Sequence, residues 1–179
     1  MSDVMTPPTL IGTRCTLRGF TPDDAASIAL HGNDEAVARN MTDTFPSPMS
    51  LASATEWVTS GWRSFGGVVW CIDVAGVAIG SCGVHPGDGQ FRCNVEIGYW
   101  LGQAFWRQGI THEAVQLMVA YTWANLPEAT RIHAPVYAWN HASRGVLLKN
   151  GFIQDGLLRQ SRIKNGEVID QTSMALYRE

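Results

Sequence analysis

Residues 94–152 read NVEIGYWLGQAFWRQGITHEAVQLMVAYTWANLPEATRIHAPVYAWNHASRGVLLKNGF, and this stretch decides the fold. It opens with an apolar run that only Glu96 and Gly98 interrupt, and its β-branched and aromatic residues predict a strand over 95–101. Apolar residues then recur at helical spacing, which predicts a helix with one apolar face. The members of this stripe are Ile110, Ala114, Leu117, Met118 and Tyr121. A second strand and a second helix follow, so the order is strand, loop, helix, strand, helix.

The loop between the first strand and the first helix is a candidate anion site. It reads Trp106-Arg107-Gln108-Gly109 before the helix begins. The first turn of a helix presents unpaired N–H groups and the positive end of the helix dipole. A glycine at that point lets an anion approach the backbone closely. Taken alone, one glycine before a helix more often marks an ordinary turn, so the assignment depends on the motifs around it.

Three motifs in this order resemble the GNAT acyltransferases, and within them the ribosomal-protein alanine N-acetyltransferase (RimJ/RimL-like) branch. The matching pieces are Glu96-Ile97-Gly98-Tyr99-Trp100-Leu101, Trp106-Arg107-Gln108-Gly109-Ile110-Thr111-His112-Glu113-Ala114, and Asn140-His141-Ala142-Ser143 with Lys149-Asn150-Gly151-Phe152. The resemblance extends over nearly the whole chain, from Leu17-Arg18 to the last predicted strand.

The resemblance implies a fold, a cofactor and a set of contacts. The fold is α/β, with a mixed, mostly antiparallel central sheet of about seven strands and helices on both faces. The expected cofactor is acetyl-CoA (CoA). Its pantetheine arm would pass between the strand at 95–101 and the one at 131–137. The implied cofactor contacts are Ile97, Gly98, Tyr99, Trp100, Arg107, Gln108, Gly109, Ile110, Thr111, Asn140 and Ser143.

The expected reaction is attack of an amine on the thioester, which needs a base and a proton donor. Glu96 is the candidate general base, acting through water, because a carboxylate inside an apolar strand needs a partner or a task. The alternative is a Glu96 paired with an arginine or with solvent. Strand alternation puts Glu96, Gly98 and Trp100 on one face. Gly98 would clear the path of the pantetheine arm, and the alternative of a β-bulge at Gly98 is compatible with that role.

Ser143 is the candidate proton donor to the departing thiolate, and Tyr99 is its rival. The resemblance places Asn140 against the cofactor arm, although Asn140 also reads as a helix cap. Arg144 and Lys149 either reach a CoA phosphate or lie on a solvated face. The same choice applies to His112, as a cation near the pyrophosphate or an exposed helix residue.

In the rest of the chain, predicted helices and strands alternate with residues that are typical of turns. By resemblance, the helix–loop–helix region that ends at about residue 60 forms one wall of an acceptor groove. The candidate substrate contacts are Phe45, Trp62 and Glu96, and the alternative for the two aromatic residues is core packing. Residues 1–10 are expected to be disordered. The remaining predictions are a strand at 14–20, helices at 21–31, 34–40 and 50–60, loops at 41–49 and 85–90, and hairpins at 68–84 and 152–177. Ser50 is the predicted N-cap of the helix at 50–60.

Composition narrows the function classes. A length of 179 residues predicts a single domain over 1–179, and a net charge of −3 argues against nucleic acid or an anionic membrane as partners. The N-terminus has no signal-peptide pattern, so a cytoplasmic location is expected. The four cysteines have no C-x-x-C spacing and are predicted to be reduced thiols. No metal is expected, because Gln116 stands where a zinc H-E-x-x-H motif needs its second histidine.

The sequence therefore predicts an N-acetyltransferase that uses acetyl-CoA. The acceptor is a primary amine, either a protein N-terminus or a small molecule. Two alternatives remain open: a non-catalytic acyl-CoA-binding sensor on the same fold, and transfer of another acyl group such as succinyl. A homodimer is also left open.

Overall fold

The computed structural model describes residues 7–179, and the eight strands in that range form one sheet. The strands are β1 (Leu10–Ile11), β2 (Thr16–Arg18), β3 (Val68–Val74), β4 (Val77–Pro86), β5 (Asn94–Leu101), β6 (Arg131–Tyr137), β7 (Ile153–Lys164) and β8 (Glu167–Tyr177). Their order across the sheet is β1-β2-β3-β4-β5-β6-β8-β7. Neighbouring strands are antiparallel except β5 and β6, which are parallel. The sheet is therefore mixed and mostly antiparallel, as predicted.

Five α-helices accompany the sheet over the same residues. They are α1 (Ala25–Gly32), α2 (Glu35–Ala38), α3 (Leu51–Thr59), α4 (Ile110–Asn125) and α5 (His141–Lys149). The predicted cap of α3 is confirmed, since the N–H of Ser53 donates to Ser50 Oγ at 3.0 Å. None of the helices in residues 7–179 has the length and apolar character needed to cross a membrane.

The helices cover both faces of the sheet, and β5 shows why. Val95 and Ile97 point into a core shared with α4 and α5, whereas Trp100 points into a second core with α1, α2 and α3. This split follows the two-residue alternation of a strand. Because β5 carries apolar residues on both faces, a helical layer has to cover each face of the sheet. This arrangement agrees with the predicted architecture.

The N-terminal prediction needs a correction. Residues 1–6 of the segment expected to be disordered lie outside the described residues. The remainder is ordered: Leu10 belongs to β1, and the indole Nε1 of Trp70 donates to the carbonyl of Pro8 at 2.8 Å. This added edge strand also raises the strand number to eight. The prediction failed because a two-residue strand formed by tertiary pairing leaves no periodic signal.

The loop expected over residues 85–90 is also partly wrong. β4 continues two residues beyond Val84, with His85 opposite Glu96 and Pro86 opposite Val95. Histidine and proline are weak strand formers, so the sequence pattern ended the strand too early. Pairing with β5 overrides that local preference and brings His85 into the sheet.

The two parallel strands separate after a short contact. β5 pairs with β4 from Gly80↔Leu101 to Pro86↔Val95, but it pairs with β6 only at Asn94↔Arg131, Val95↔Ile132 and Glu96↔His133. Beyond Glu96 the ladder between β5 and β6 ends, while β6 stays paired with β8 as far as Tyr137. A cleft in the middle of the sheet results.

Candidate active site

The cleft between β5 and β6 is bounded by a strand edge that can bind a ligand. From Ile97 to Leu101, β5 has strand partners only on its β4 side within the described residues. Backbone N–H and C=O groups on an unpaired edge are available to an extended ligand. A Cβ added at Gly98 would meet nothing within 4 Å, so open space lies above this residue. The register from β4 to β5 is unshifted at Gly98, and the β-bulge alternative is therefore wrong.

The loop before α4 has the geometry of an anion site. Gly109 is the N-cap of α4 and is left-handed, with φ 78° and ψ 0°. Side-chain bonds hold the loop in place, since Trp106 Nε1 donates to the Leu101 carbonyl at 2.7 Å and Gln108 Nε2 donates to the Ala104 carbonyl at 3.0 Å. Arg107 is itself left-handed, with φ 62°. The loop is thus a tight turn, held by side-chain hydrogen bonds on the N-terminal side of Gly109.

The first turn of α4 leaves its N–H groups free of helical partners. The first helical bond at this end runs from the N–H of Glu113 to the Gly109 carbonyl at 3.1 Å. The N–H groups of Ile110, Thr111 and His112 precede it and have no acceptor within the helix. The Ile110 side chain is buried in the core, so this residue offers only its backbone. A phosphate fits such a helix start because of both the free donors and the dipole.

Glu113 anchors this helix start to the N-terminal strands. Its carboxylate accepts the backbone N–H groups of Thr13, Arg14 and Cys15 at 2.9, 2.7 and 2.9 Å, and the hydroxyl of Thr13 at 2.6 Å. Burial would raise the pKa of Glu113, but the bonds from Thr13, Arg14 and Cys15 prevail and lower it to about 2. The carboxylate is therefore ionised at neutral pH and ties the turn before β2 to α4.

The two rival proton donors are hydrogen-bonded to each other. Tyr99 Oη lies 2.8 Å from Ser143 Oγ, across the space between β5 and α5. Burial raises the pKa of Tyr99 to about 12, with the Ser143 bond opposing, so the phenol stays protonated at neutral pH. The predicted cap is confirmed, because the Ser143 N–H donates to Asn140 Oδ1 at 3.1 Å. Ser143 and Tyr99 are thus one connected pair.

Glu96 is exposed, which corrects the premise behind its selection. It lies on the same face as Gly98, and within the described residues its carboxylate has no hydrogen-bond partner. The cross-strand neighbours of Glu96 are His85 on β4 and His133 on β6. Burial lowers the pKa of His133, and the charge of Glu96 opposes that shift. The carboxylate is therefore open to solvent, on the strand between those that carry His85 and His133.

The two predicted acceptor contacts have different surroundings. The ring of Phe45 packs edge-to-face on Trp100, with centroids 5.5 Å apart, so Phe45 covers the Glu96 face of β5. Trp62 is only 6% exposed and packs with the Arg63 guanidinium 4.6 Å above its ring. The indole N–H of Trp62 has no acceptor in the part of the chain that is described. Phe45 is therefore near the candidate site, and Trp62 behaves as a core residue.

The segment that carries Phe45 is tied to the far side of the cleft. Tyr137 Oη, at the end of β6, donates to the Met41 carbonyl at 3.3 Å. The indole of Trp139 donates to Asn40 Oδ1 at 3.2 Å. Residues 40–45 therefore reach from β5 to β6 across one end of the gap.

The remaining predicted residues lie around the end of α5. His112 Nδ1 is 3.0 Å from Asn150 Nδ2, which links α4 to the end of α5. Arg144 is half-buried and Lys149 is exposed.

The residue that the sequence analysis missed is His85. Extending the two-residue alternation of β4 from Gly83 to the next residue on that face would have identified His85.

Comparisons with known proteins find one family model and several similar proteins. The model of the Acetyltransferase (GNAT) domain matches residues 14–153. The chain is 32% identical over 166 residues to the uncharacterized N-acetyltransferase YoaA of Bacillus subtilis (strain 168), which covers 91% of this chain and 93% of that protein. It is 37% identical over 70 residues to the ribosomal-protein-serine acetyltransferase of Escherichia coli (strain K12), covering 39% of this chain and 38% of that protein.

A solved structure with a similar fold is Mycobacterium smegmatis RimJ in complex with CoA-disulfide. Its TM-score is 0.84 at 22% identity, over 96% of this chain and 88% of that one. At this identity the likeness concerns the fold alone.

Proposed function

The chain belongs to the GNAT acetyltransferase family, and on that premise we propose that Glu96 serves as general base when an amine takes the acetyl group of acetyl-CoA. The family gives the reaction class: the protein is an acetyl-CoA-dependent N-acetyltransferase. We further propose roles for individual residues and the kind of amine that is acetylated.

The proposed cofactor site rests on one observation, the separation of β5 from β6. The unpaired edge from Ile97 to Trp100 offers backbone groups to an amide-containing arm, and the open space above Gly98 admits it. The free N–H groups of Ile110 and Thr111 would hold the pyrophosphate. Arg107, Gln108 and Gly109 would line the same turn, with Asn140 and Ser143 at the other end of the arm.

The proposed catalytic groups lie on both faces of β5. Glu96, on the exposed face, would remove a proton from the incoming amine through water. Tyr99, on the opposite face, meets Ser143, which would supply a hydrogen bond as charge develops on sulfur. Proton removal and leaving-group stabilisation would therefore occur on opposite sides of one strand.

The acceptor is proposed to be a primary amine entering on the Glu96 face, below Phe45. A protein N-terminus is one such amine, and the likeness to a ribosomal-protein-serine acetyltransferase over 70 residues supports it. A small-molecule amine is the other. Trp62 would support the wall of this groove from within the core instead of touching the acceptor.

The wider setting is part of the proposal. One sheet containing all eight described strands supports a single catalytic domain. All four cysteines are free, which fits the reducing cytoplasm. A net charge of −3 argues against nucleic acid and anionic membranes as partners. Pairing of two copies would cover exposed apolar residues such as Leu157 and Ile163, and sedimentation of the pure protein tests it.

Thiol release from acetyl-CoA tests the function. The wild type is assayed with a panel of amines and N-terminal peptides, beside Glu96→Gln and the remote control Glu128→Gln. We expect Glu96→Gln to lower kcat by about 10²-fold with CoA affinity unchanged, as for loss of a general base. Glu128→Gln should match the wild type. CoA binding without thiol release on any amine would indicate a sensor, and succinyl-CoA in a parallel assay tests the acyl group.

A further inference from the structure

We propose that His85 is a further catalytic residue, which accepts the second of the two protons that the amine loses. The inference rests on the proposed function, because it concerns the same acceptor face. An ammonium ion that becomes an amide loses two N–H protons. Glu96 accounts for one of them, and the structure offers a second acceptor beside it.

The sheet register places His85 next to Glu96. The two residues face each other directly across the antiparallel β4–β5 pair. Directly opposed residues have their Cβ atoms about 4.5–5.5 Å apart on the same face. The next pair on that face is Gly83↔Gly98, which has no side chains. A histidine and a carboxylate therefore border a bare patch of sheet.

The imidazole leans over that bare patch. A Cβ built on Gly83 would lie 3.0 Å from His85 Nε2, so this nitrogen stands directly above Gly83. A Cβ built on Gly98 would have nothing within 4 Å. His85 Nε2 therefore lies over Gly83, the β4 residue opposite Gly98, on the sheet face that also carries Glu96.

The other ring nitrogen is held by the backbone. His85 Nδ1 is 2.6 Å from the Gly66 carbonyl and 3.2 Å from the Phe65 carbonyl. A carbonyl oxygen can only accept, so Nδ1 carries the proton, and Nε2 of the neutral ring has the free lone pair. The close approach depends on Gly67, where an added Cβ would collide with the Val84 carbonyl.

The charged groups around the ring suit a transient imidazolium. Glu96 on β5 is the adjacent anion, His133 lies one strand beyond it, and Arg63 belongs to the short 3-10 helix Gly61–Phe65 that precedes the Gly66 carbonyl. The Arg63 guanidinium is directed over the Trp62 ring. Opposite charge on an adjacent strand stabilises the protonated ring.

The proton balance gives each base one step. Glu96, through water, takes the first proton and leaves a neutral amine. The amine lone pair forms the N–C bond, the C–S bond breaks, and the electron pair leaves on sulfur. The second N–H proton passes to His85 Nε2. The thiolate departs with a hydrogen bond from Ser143, and both bases return their protons to solvent.

His85→Asn tests the proposal, because the shorter amide keeps an N–H donor for Gly66 and removes the Nε2 acceptor. We expect kcat with the best amine of the panel to fall at least tenfold, with CoA affinity by calorimetry and melting temperature close to wild type. The comparison variant is His133→Asn, which changes the other histidine beside Glu96 and should lose less activity. An unchanged kcat in His85→Asn overturns the proposal, and so does a larger loss in His133→Asn.

A second measurement on the wild type is independent of turnover. Long-range ¹H–¹⁵N NMR identifies the protonated nitrogen of the neutral His85 ring. Protonation at Nδ1 is expected, and protonation at Nε2 overturns the proposal. If the wild type acetylates no amine, the proposed function fails and the inference with it. If the wild type is active while His85→Asn is equally active, the inference alone fails.

Discussion

Ser143 and Tyr99 illustrate what single residues contribute to this site. The sequence offers them as competing proton donors, and the 2.8 Å distance between their oxygens makes them partners. A phenol with a pKa of about 12 keeps its proton and can orient the serine hydroxyl. The helix cap belongs to the Asn140 side chain and to the Ser143 backbone, so removing the Ser143 hydroxyl leaves the cap intact.

Ser143→Ala should therefore lower kcat with little change in CoA affinity or melting temperature. The hydroxyl acts only as charge develops on sulfur, which lowers the barrier without adding ground-state binding. Tyr99→Phe should have a smaller effect, and the double variant should be no slower than Ser143→Ala alone, because Tyr99 acts through Ser143. Steady-state kinetics with calorimetry measures this. Fully additive losses would show that the two hydroxyls act separately.

At the scale of elements, the junction between β5 and α4 depends on one backbone conformation. Gly109 has φ 78° and is followed by free N–H groups, so its conformation sets the direction of those donors. The sequence placed this turn correctly because glycine before an apolar helical stripe is a local signal. The anchoring of the helix by Glu113 had no such signal, since its partners lie about a hundred residues earlier.

Gly109→Ala should weaken CoA binding at least tenfold, equivalent to about 1.4 kcal/mol. A left-handed alanine is strained, and relaxing it turns the N–H groups away from the phosphates. The matched control is Gly76→Ala, which has φ 84° in the β3–β4 turn and open space around its Cβ. Both variants should lose similar stability, and only Gly109→Ala should lose CoA affinity by calorimetry. Equal CoA affinities in the two variants would show that the pyrophosphate does not bind at this turn.

Glu113→Gln should lower the melting temperature at neutral pH, and the difference from wild type should shrink in acid. The pKa of Glu113 in the folded protein, about 2, lies below the ordinary value of 4.5. Its contribution is thus complete above about pH 5 and is lost as the pH falls through about 2. Thermal unfolding at neutral pH and near pH 3 measures the change. Glu128→Gln, in an exposed ion pair with Arg92, should change little at either pH. A constant difference would contradict the prediction.

At the scale of the whole molecule, the segment over the cleft is held by elements from both halves of the chain. Asp43 accepts the Asn165 N–H at 3.1 Å and pairs with Lys164 Nζ at 3.0 Å, at the tip of the β7–β8 hairpin. Tyr137 and Phe45 add contacts to β6 and β5. The wall of the proposed acceptor groove is therefore assembled from residues more than a hundred positions apart.

Asp43→Ala should raise KM for the acceptor and leave CoA affinity unchanged. Loss of the bond to the hairpin frees the segment that covers the acceptor face, whereas the CoA contacts lie elsewhere. Hydrogen exchange of residues 41–49 should become faster, which measures the freed segment directly. Glu128→Ala removes an exposed ion pair away from the cleft and serves as the control. If both the hydrogen exchange of residues 41–49 and the KM for the acceptor are unchanged, the contact of Asp43 with the hairpin has no role in acceptor binding.

The sequence by itself determined the local features of this protein. Alternation placed Val95 and Trp100 on opposite faces, Ser50 and Asn140 were recognised as caps, and turn residues located the hairpins. These are interactions between residues a few positions apart, so their pattern is visible in the chain. The order of the motifs then indicated the family and its cofactor.

Only the tertiary structure decided how distant segments meet. The separation of β5 from β6, the exposure of Glu96, the Tyr99–Ser143 bond and the position of His85 beside Glu96 all depend on strand register and on packing between layers. A pairing between strands is set by the sum of many contacts across the sheet, and a shift of one residue would reverse every face. No local pattern encodes that sum, which is why the sequence named the residues of the site but not their arrangement.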